Sequence, residues 1–140
     1  MPSADIFERK GLRARGDPVL MLAPMEGLSN PAFRELVCGA GGVDLLATEF
    51  IRIVHPRQPA PVIHRHRLPL QIQFMAARPE LLAQAIAAFK AAGVLRADDW
   101  LDLNAGCPSR RVNAHGAGAA LLREPGALLA MLQAMRGEHD

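Results

Sequence analysis

Apolar residues gather in four short runs, at 19–23 (VLMLA), 43–50 (VDLLATEF), 70–74 (LQIQF) and 100–105 (WLDLNA). Their starts lie roughly 25–30 residues apart, about the length of a strand with its crossover helix. Mostly continuous rather than alternating, the runs predict parallel strands covered on both faces. Helical patterns separate them. Asn30 followed by Pro31 predicts an N-cap and a first helical position, with Phe33, Leu36 and Val37 on one face and Gly41 or Gly42 at the end. Pro79 opens a second helix whose stripe is Leu82, Ala85, Ile86 and Phe89, with Gly93 to stop it. Leu128, Met131, Leu132 and Met135 repeat the spacing in a third. The prolines of HPRQPAPVIHRHRLP (55–69) predict a loop with at most a short helix.

Repeated strand–helix units predict an α/β fold with a parallel sheet. A complete (β/α)₈ barrel takes about 250 residues, and this chain has 140. Two architectures meet the pattern: the first half of such a barrel, about four βα units, or a small open sheet. Composition leaves both open. A net charge of +2 is too weak by itself to imply nucleic acid. Two cysteines with no Cys-x-x-Cys spacing indicate neither a zinc site nor a disulfide framework, as expected of a cytoplasmic protein. No apolar run approaches the ~20 residues that span a membrane. The first residues carry early acidic side chains and no apolar stretch, unlike a signal peptide. Residues 1–17 read as a polar, poorly ordered leader, and residues 18–140 as the folded part.

In parallel α/β sheets, ligands bind beyond the carboxyl ends of the strands. Polar and reactive residues collect at that end of each predicted strand: Glu26 after the first, Thr48, Glu49 and Arg52 on the second, Gln71 and Gln73 on the third, Asn104 and Cys107 after the fourth. Packing alone does not require this. Cys107 stands between Gly106 and Pro108 at an exposed corner, whereas Cys38 lies in a helical pattern and reads as a small buried hydrophobe. A thiol ordinarily titrates at about 8.5, so at neutral pH it holds a proton to donate. HGAGAALL (115–122) lacks the context of a dinucleotide fingerprint and reads as tight packing after the fourth strand. HRHR (64–67), with Arg52, Arg57, Arg110 and Arg111, is either a phosphate-contacting patch or a solvated loop.

LAPMEGLSN, TEFIR and DLNAGCPSRRVN…GAGAALL, in this order and spacing, resemble the tRNA-dihydrouridine synthases, in particular the bacterial branch written with PMEG and TEFVR. The resemblance runs from about Val19 to the end of the chain. It implies a TIM (β/α)₈ barrel, of which this chain holds the first half. The C-terminal half and a helical tRNA-binding domain are not in the sequence. It implies FMN-dependent reduction of a tRNA uridine to 5,6-dihydrouridine, with NADPH as reductant. Cys107 then matches the general acid that protonates C5 of uracil while flavin N5 delivers hydride to C6. Pro24, Met25, Glu26 and Gln73 match flavin-binding positions, and Arg52 and Asn104 match tRNA contacts. No metal is implied. The chain departs from the family in lacking a fifth-strand lysine and the glycine-rich phosphate loops, and in carrying Arg110 after Cys-Pro-Ser, where lysine is common. The alternative is a non-catalytic remnant, or an RNA-binding half-barrel that needs a second polypeptide or pairs through its open edges.

Overall fold

The computed structural model describes residues 6–12 and 17–139. Four strands form one parallel sheet: β1 (Leu46–Ala47), β2 (Ile51–Arg52), β3 (Leu70–Met75) and β4 (Trp100–Leu103). β3 is central. β1 and β2 follow one another along one of its edges and β4 runs along the other. Leu46 lies opposite Leu70, and Arg52 opposite Met75, so the spacing between partners shortens by one residue on the way. The stretch between Ala47 and Ile51 therefore carries a bulge. There the Thr48 N–H donates to Gln71 O (2.9 Å), and the Thr48 hydroxyl accepts the Gln73 N–H (3.2 Å).

The run at 19–23, expected to be a strand, is reduced to one bridge between Met21 and Leu45. Its backbone still reaches the next strand, Leu22 N–H donating to Leu45 O at 2.9 Å. The Leu20 N–H, however, is taken by the Asp44 carboxylate (2.8 Å), a side chain competing with the ladder. Leu20 and Met21 are exposed on this outer edge. The expected strand at 43–50 is likewise shorter and displaced, appearing as β1 and β2 on either side of the bulge.

The described residues also form five α-helices, α1 (Ile6–Arg9), α2 (Pro31–Ala40), α3 (Pro79–Ala91), α4 (Arg110–Asn113) and α5 (Pro125–Glu138), with a 3₁₀ segment at Gly118–Arg123. The Asn30 side chain caps α2 by accepting the Phe33 N–H at 3.0 Å, and Gly41 ends it at φ 78°. The fully buried residues of α2 are Arg34 and Cys38; of the expected Phe33–Leu36–Val37 stripe, Val37 is half-buried against the core, Phe33 is half-buried and Leu36 is exposed. Arg34 is accommodated there because its guanidinium donates to Ser29 O (2.5 Å), to His64 O and to His66 Nε2 (both 3.3 Å). Burial lowers its pKa, and the charge of Glu49 opposes that shift. In α3 the expected stripe of Leu82, Ala85, Ile86 and Phe89 is buried. In α5 Met131 and Met135 are buried, but Leu132 is exposed.

β3 is buried along its whole length yet two-sided. Leu70, Ile72 and Phe74 enter the main core with Leu46, Leu82, Ile86, Phe89 and Met131, Phe74 stacking on Phe89 at 6.3 Å. Gln71, Gln73 and Met75 occupy alternate positions and face the other side. At the amino end of the sheet Phe7 stacks on Trp100 (5.4 Å between ring centroids) and Lys10 sits over the same ring. The described part of the expected leader is thus packed on the sheet, and residues 1–5 and 13–16 lie outside the described residues. The 55–69 segment contains no regular element. Its HRHR motif is an irregular loop in which His64 and Arg67 are exposed and Arg65 and His66 half-buried, and three of the four side chains are tied to the rest of the fold. Arg65 pairs with Asp99, Arg67 donates to Cys38 O, and His66 contacts Glu35 at 2.7 Å.

Candidate active site

At the carboxyl end of the sheet a cavity of about 530 Å³ is lined by Pro24, Glu26, Phe50, Gln73, Asp102 and the 103–107 segment. Its floor follows from strand register. Gln73 lies opposite Asp102 across the β3–β4 ladder, and Asn104 is two residues further on, its N–H donating to Phe74 O at 2.8 Å. Residues two apart share a face, so three polar side chains stand in one row.

They form a continuous relay. Asp102 Oδ2 accepts from Gln73 Nε2 (2.6 Å), and Gln73 Oε1 accepts from Asn104 Nδ2 (3.0 Å). Asn104 Oδ1 then accepts the backbone N–H groups of Cys107 (3.0 Å) and Gly106 (3.3 Å). The direction is set at both ends. Two N–H donors require the Asn104 oxygen, which turns its NH₂ to Gln73; at the other end the Asp102 carboxylate oxygen accepts, which fixes the Gln73 NH₂. After these bonds Gln73 retains one N–H and one oxygen lone pair, and Asn104 retains one N–H. The floor can thus meet a planar ring that carries both donor and acceptor atoms.

The Cys107 corner is held from three sides. Asn104 holds its N–H, and its carbonyl accepts the Ala119 N–H at 3.1 Å. Its half-buried side chain packs, with Phe50, against Met75, Val112 and Ala117. Gly118 lets this happen. It adopts φ 62°, and a Cβ there would lie 2.9 Å from both the Cys107 oxygen and Val112 Cγ1. The second glycine of HGAGAALL thus serves close packing on the Cys107 corner, in line with the sequence reading.

The loop after Ala23 is closed on itself. The Ser29 hydroxyl donates to Ala23 O (3.0 Å) and accepts the Met25 N–H (2.9 Å), while Glu49 accepts the Gly27 N–H at 2.6 Å. Glu49 therefore anchors this loop to the second strand. Of the residues singled out in the sequence, Pro24, Glu26, Gln73, Asn104 and Cys107 meet around the cavity. Met25 does not line it; its N–H is bonded to the Ser29 hydroxyl in the turn beside it. Arg52 lies beyond the bulge and lines a neighbouring cavity, its Nη2 lying 3.8 Å from Met75 Sδ. Asp102 and Phe50 escaped the sequence reading. The alternation in Trp100-x-Asp102-x-Asn104 is the signal that could have exposed Asp102.

A family model described as dihydrouridine synthase matches residues 21–140, the span that contains the whole relay and the Cys107 corner. The chain belongs to the dihydrouridine synthase family. It is 37% identical over 129 residues to the tRNA-dihydrouridine(16) synthase of Salmonella typhimurium, and 36% identical over 130 residues to that of Escherichia coli K12. To the enzyme of that name from Haemophilus influenzae it is 34% identical over 133 residues. Each match covers 84% of this chain and 40% of the relative. This dihydrouridine synthase chain therefore spans about two fifths of the length of the curated relatives it matches. Among the described residues, no helix is long and apolar enough to cross a membrane.

Proposed function

We propose that this chain is the N-terminal half of a (β/α)₈ barrel and supplies the proton-donating side of a tRNA-dihydrouridine synthase site. The enzyme reduces a tRNA uridine with FMN, recharged by NADPH, in the cytoplasm. The observation that carries the reading is the relay from Asp102 through Gln73 and Asn104 to the Cys107 N–H. It fixes a thiol-bearing corner beside a floor of amide groups.

The residues suit the flavin ring. The cavity falls within the range of about 300–1,000 Å³ usual for small-molecule sites, and Gln73 and Asn104 present spare amide groups to it. When bound and reduced by NADPH, the flavin would supply the hydride received by C6 of uracil. Gln73 orients the ring through its free N–H and lone pair. Pro24 and Phe50 cover apolar surface, and Asn104 turns its remaining N–H to the substrate base. Cys107 gives its thiol proton to C5, and the resulting thiolate is reprotonated from solvent. A second reading, in which the chain needs another polypeptide for turnover, is favoured by one observation. Among the described residues the lining contains Glu26 and Asp102 but no cation, so none of them offers a positive charge to a phosphate.

Titration of the 140-residue chain with FMN, followed by flavin fluorescence, tests the ring site. Saturable micromolar binding that weakens in Gln73→Leu supports it. No binding at millimolar FMN removes the ring-binding role from the isolated chain. Cys107→Ala, assayed for dihydrouridine on unmodified tRNA in a full-length enzyme carrying this segment, tests the proton donor. Undiminished product would exclude it.

A further inference from the structure

Beside the Cys107 cavity lies a second one, of about 510 Å³, whose polar lining is Arg52, Arg78, Arg111 and His115. These side chains come from three places: the end of β2, the β3–α3 turn, and α4 with the residues after it. Among the described residues no carboxylate lines the cavity. Among the described residues the side chains of Arg78, Arg111 and His115 make no hydrogen bond or ion pair, and Arg52 reaches only the Met75 sulfur. Arg34, Arg65, Arg67 and Lys10 are tied to carbonyls, carboxylates or rings. Arg57, Arg96, Arg110, Arg123 and Arg136 also make no side-chain bond among the described residues; what sets Arg52, Arg78, Arg111 and His115 apart is that they meet around one cavity. Cations gathered without counter-charges focus a positive potential in a cleft with low-dielectric walls. The first turn of α3 adds to it: Arg78, its N-cap, makes no side-chain cap, and both Arg78 and Leu81 line the cavity.

The cavity adjoins the Cys107 cavity through a shared wall. Met75, Val112 and Ala117 line the cationic cavity, and Cys107 and Phe50 pack against the same three residues. A base standing at Cys107 would therefore bring its own backbone, or that of its neighbour, towards the arginines. We infer that the cavity is a phosphodiester-binding groove for single-stranded RNA whose base enters beside Cys107, an inference that rests on the base-site reading above. A free phosphate ester shares the chemistry. RNA is favoured because the cations come from three chain segments around a cavity that shares a wall with the one holding Cys107.

The test is the binding of a labelled oligouridylate to the 140-residue chain, followed by anisotropy over a range of salt concentrations. Each phosphate-contacting cation removed should lower the slope of log affinity against log salt by about 0.7. Arg78→Ala/Arg111→Ala should thus lower it by about 1.4, while Arg78→Lys/Arg111→Lys should keep it. Both residues are exposed, and far-ultraviolet circular dichroism checks that the variants fold. An unchanged slope overturns the inference. So does an equal loss in Arg123→Ala/Arg136→Ala, which would mean diffuse surface charge. Saturable binding of inorganic phosphate or FMN that is lost in the double variant, with oligouridylate binding unaltered, assigns the groove to a small phosphate ester instead. The readout needs neither flavin nor turnover, so failure of the Cys107 chemistry would leave the slope intact and be recognised separately.

Discussion

Replacing Gly118 by alanine tests how the Cys107 corner is held. The substitution has two costs. At φ 62° an L-residue is in the left-handed region, which disfavours a side chain by roughly 1–2 kcal/mol. The new methyl would also stand 2.9 Å from the Cys107 oxygen and from Val112 Cγ1, and 3.2 Å from Cys107 Cβ. One partner is backbone held by the Ala119 N–H, and Val112 is itself buried, so neither can simply swing away. Overpacking of this kind costs about 1–3 kcal/mol, giving a total of about 2–5 kcal/mol. Gly116 separates the two costs. It has φ 75° in the same loop, but nothing lies within 4 Å of its Cβ position. Gly116→Ala should lose only the backbone part, about 1–2 kcal/mol. Urea unfolding of both variants, with unchanged m-values as a check on cooperativity, gives the comparison. If Gly118→Ala costs no more than Gly116→Ala, the close approach to Cys107 is not present in solution and the packing argument fails.

Other expectations concern the relay and the clamp beside it. Asp102→Leu strands the buried Gln73 amide and should cost about 1–3 kcal/mol in urea unfolding. Asp102→Asn should cost about 1 kcal/mol, because an amide oxygen still accepts there but without the charge; equal losses would argue against a charge-assisted bond. Asn104→Ala frees both N–H groups of the corner, so the reaction of Cys107 with a soluble disulfide reagent should quicken several-fold. Cys38, 2% exposed, should stay unreactive until unfolding; an unaltered Cys107 rate would show that Asn104 does not restrain it. Arg34→Leu removes donors from one buried and two partly buried acceptors and should cost about 2–4 kcal/mol. Because folding lowers the Arg34 pKa, its proton is held more tightly by the unfolded chain. Stability linked to it therefore rises with pH, and only in the strongly alkaline range. Stability profiles of parent and variant should run parallel around neutrality, and divergence there would refute this assignment.

Helix positions with strong local signals were legible in the sequence. Asn30-Pro31 and the stripe beginning at Leu82 depend on neighbours within a turn or two, and the structure has them as expected. The second strand was placed only approximately, because its bulge is set by hydrogen bonds from Thr48 to a partner strand more than twenty residues away. Leu36 looked like a core residue on spacing alone. Carbonyls and a histidine from distant loops let Arg34 be fully buried instead, which no local pattern carries. The cavity-lining residues Pro24, Glu26, Gln73, Asn104 and Cys107 were legible because strand ends in a parallel sheet converge. Asp102 was missed because one acidic residue inside an apolar run reads as noise until the neighbouring strand supplies its partner.

The bulge between Ala47 and Ile51 lets the strand carry one more residue than its partner without turning over. From Ala47 to Ile51 the chain takes four steps, while β3 takes three from Gln71 to Phe74, and the surplus is absorbed locally. Ile51 therefore aligns with Phe74 on the core side and Arg52 with Met75 on the cavity side. Deleting one residue from Thr48 to Phe50 would leave equal numbers of steps on the two strands, a regular ladder that keeps both pairs in place. The direction in which Arg52 faces thus follows from its pairing with Met75 and not from the number of residues that precede it.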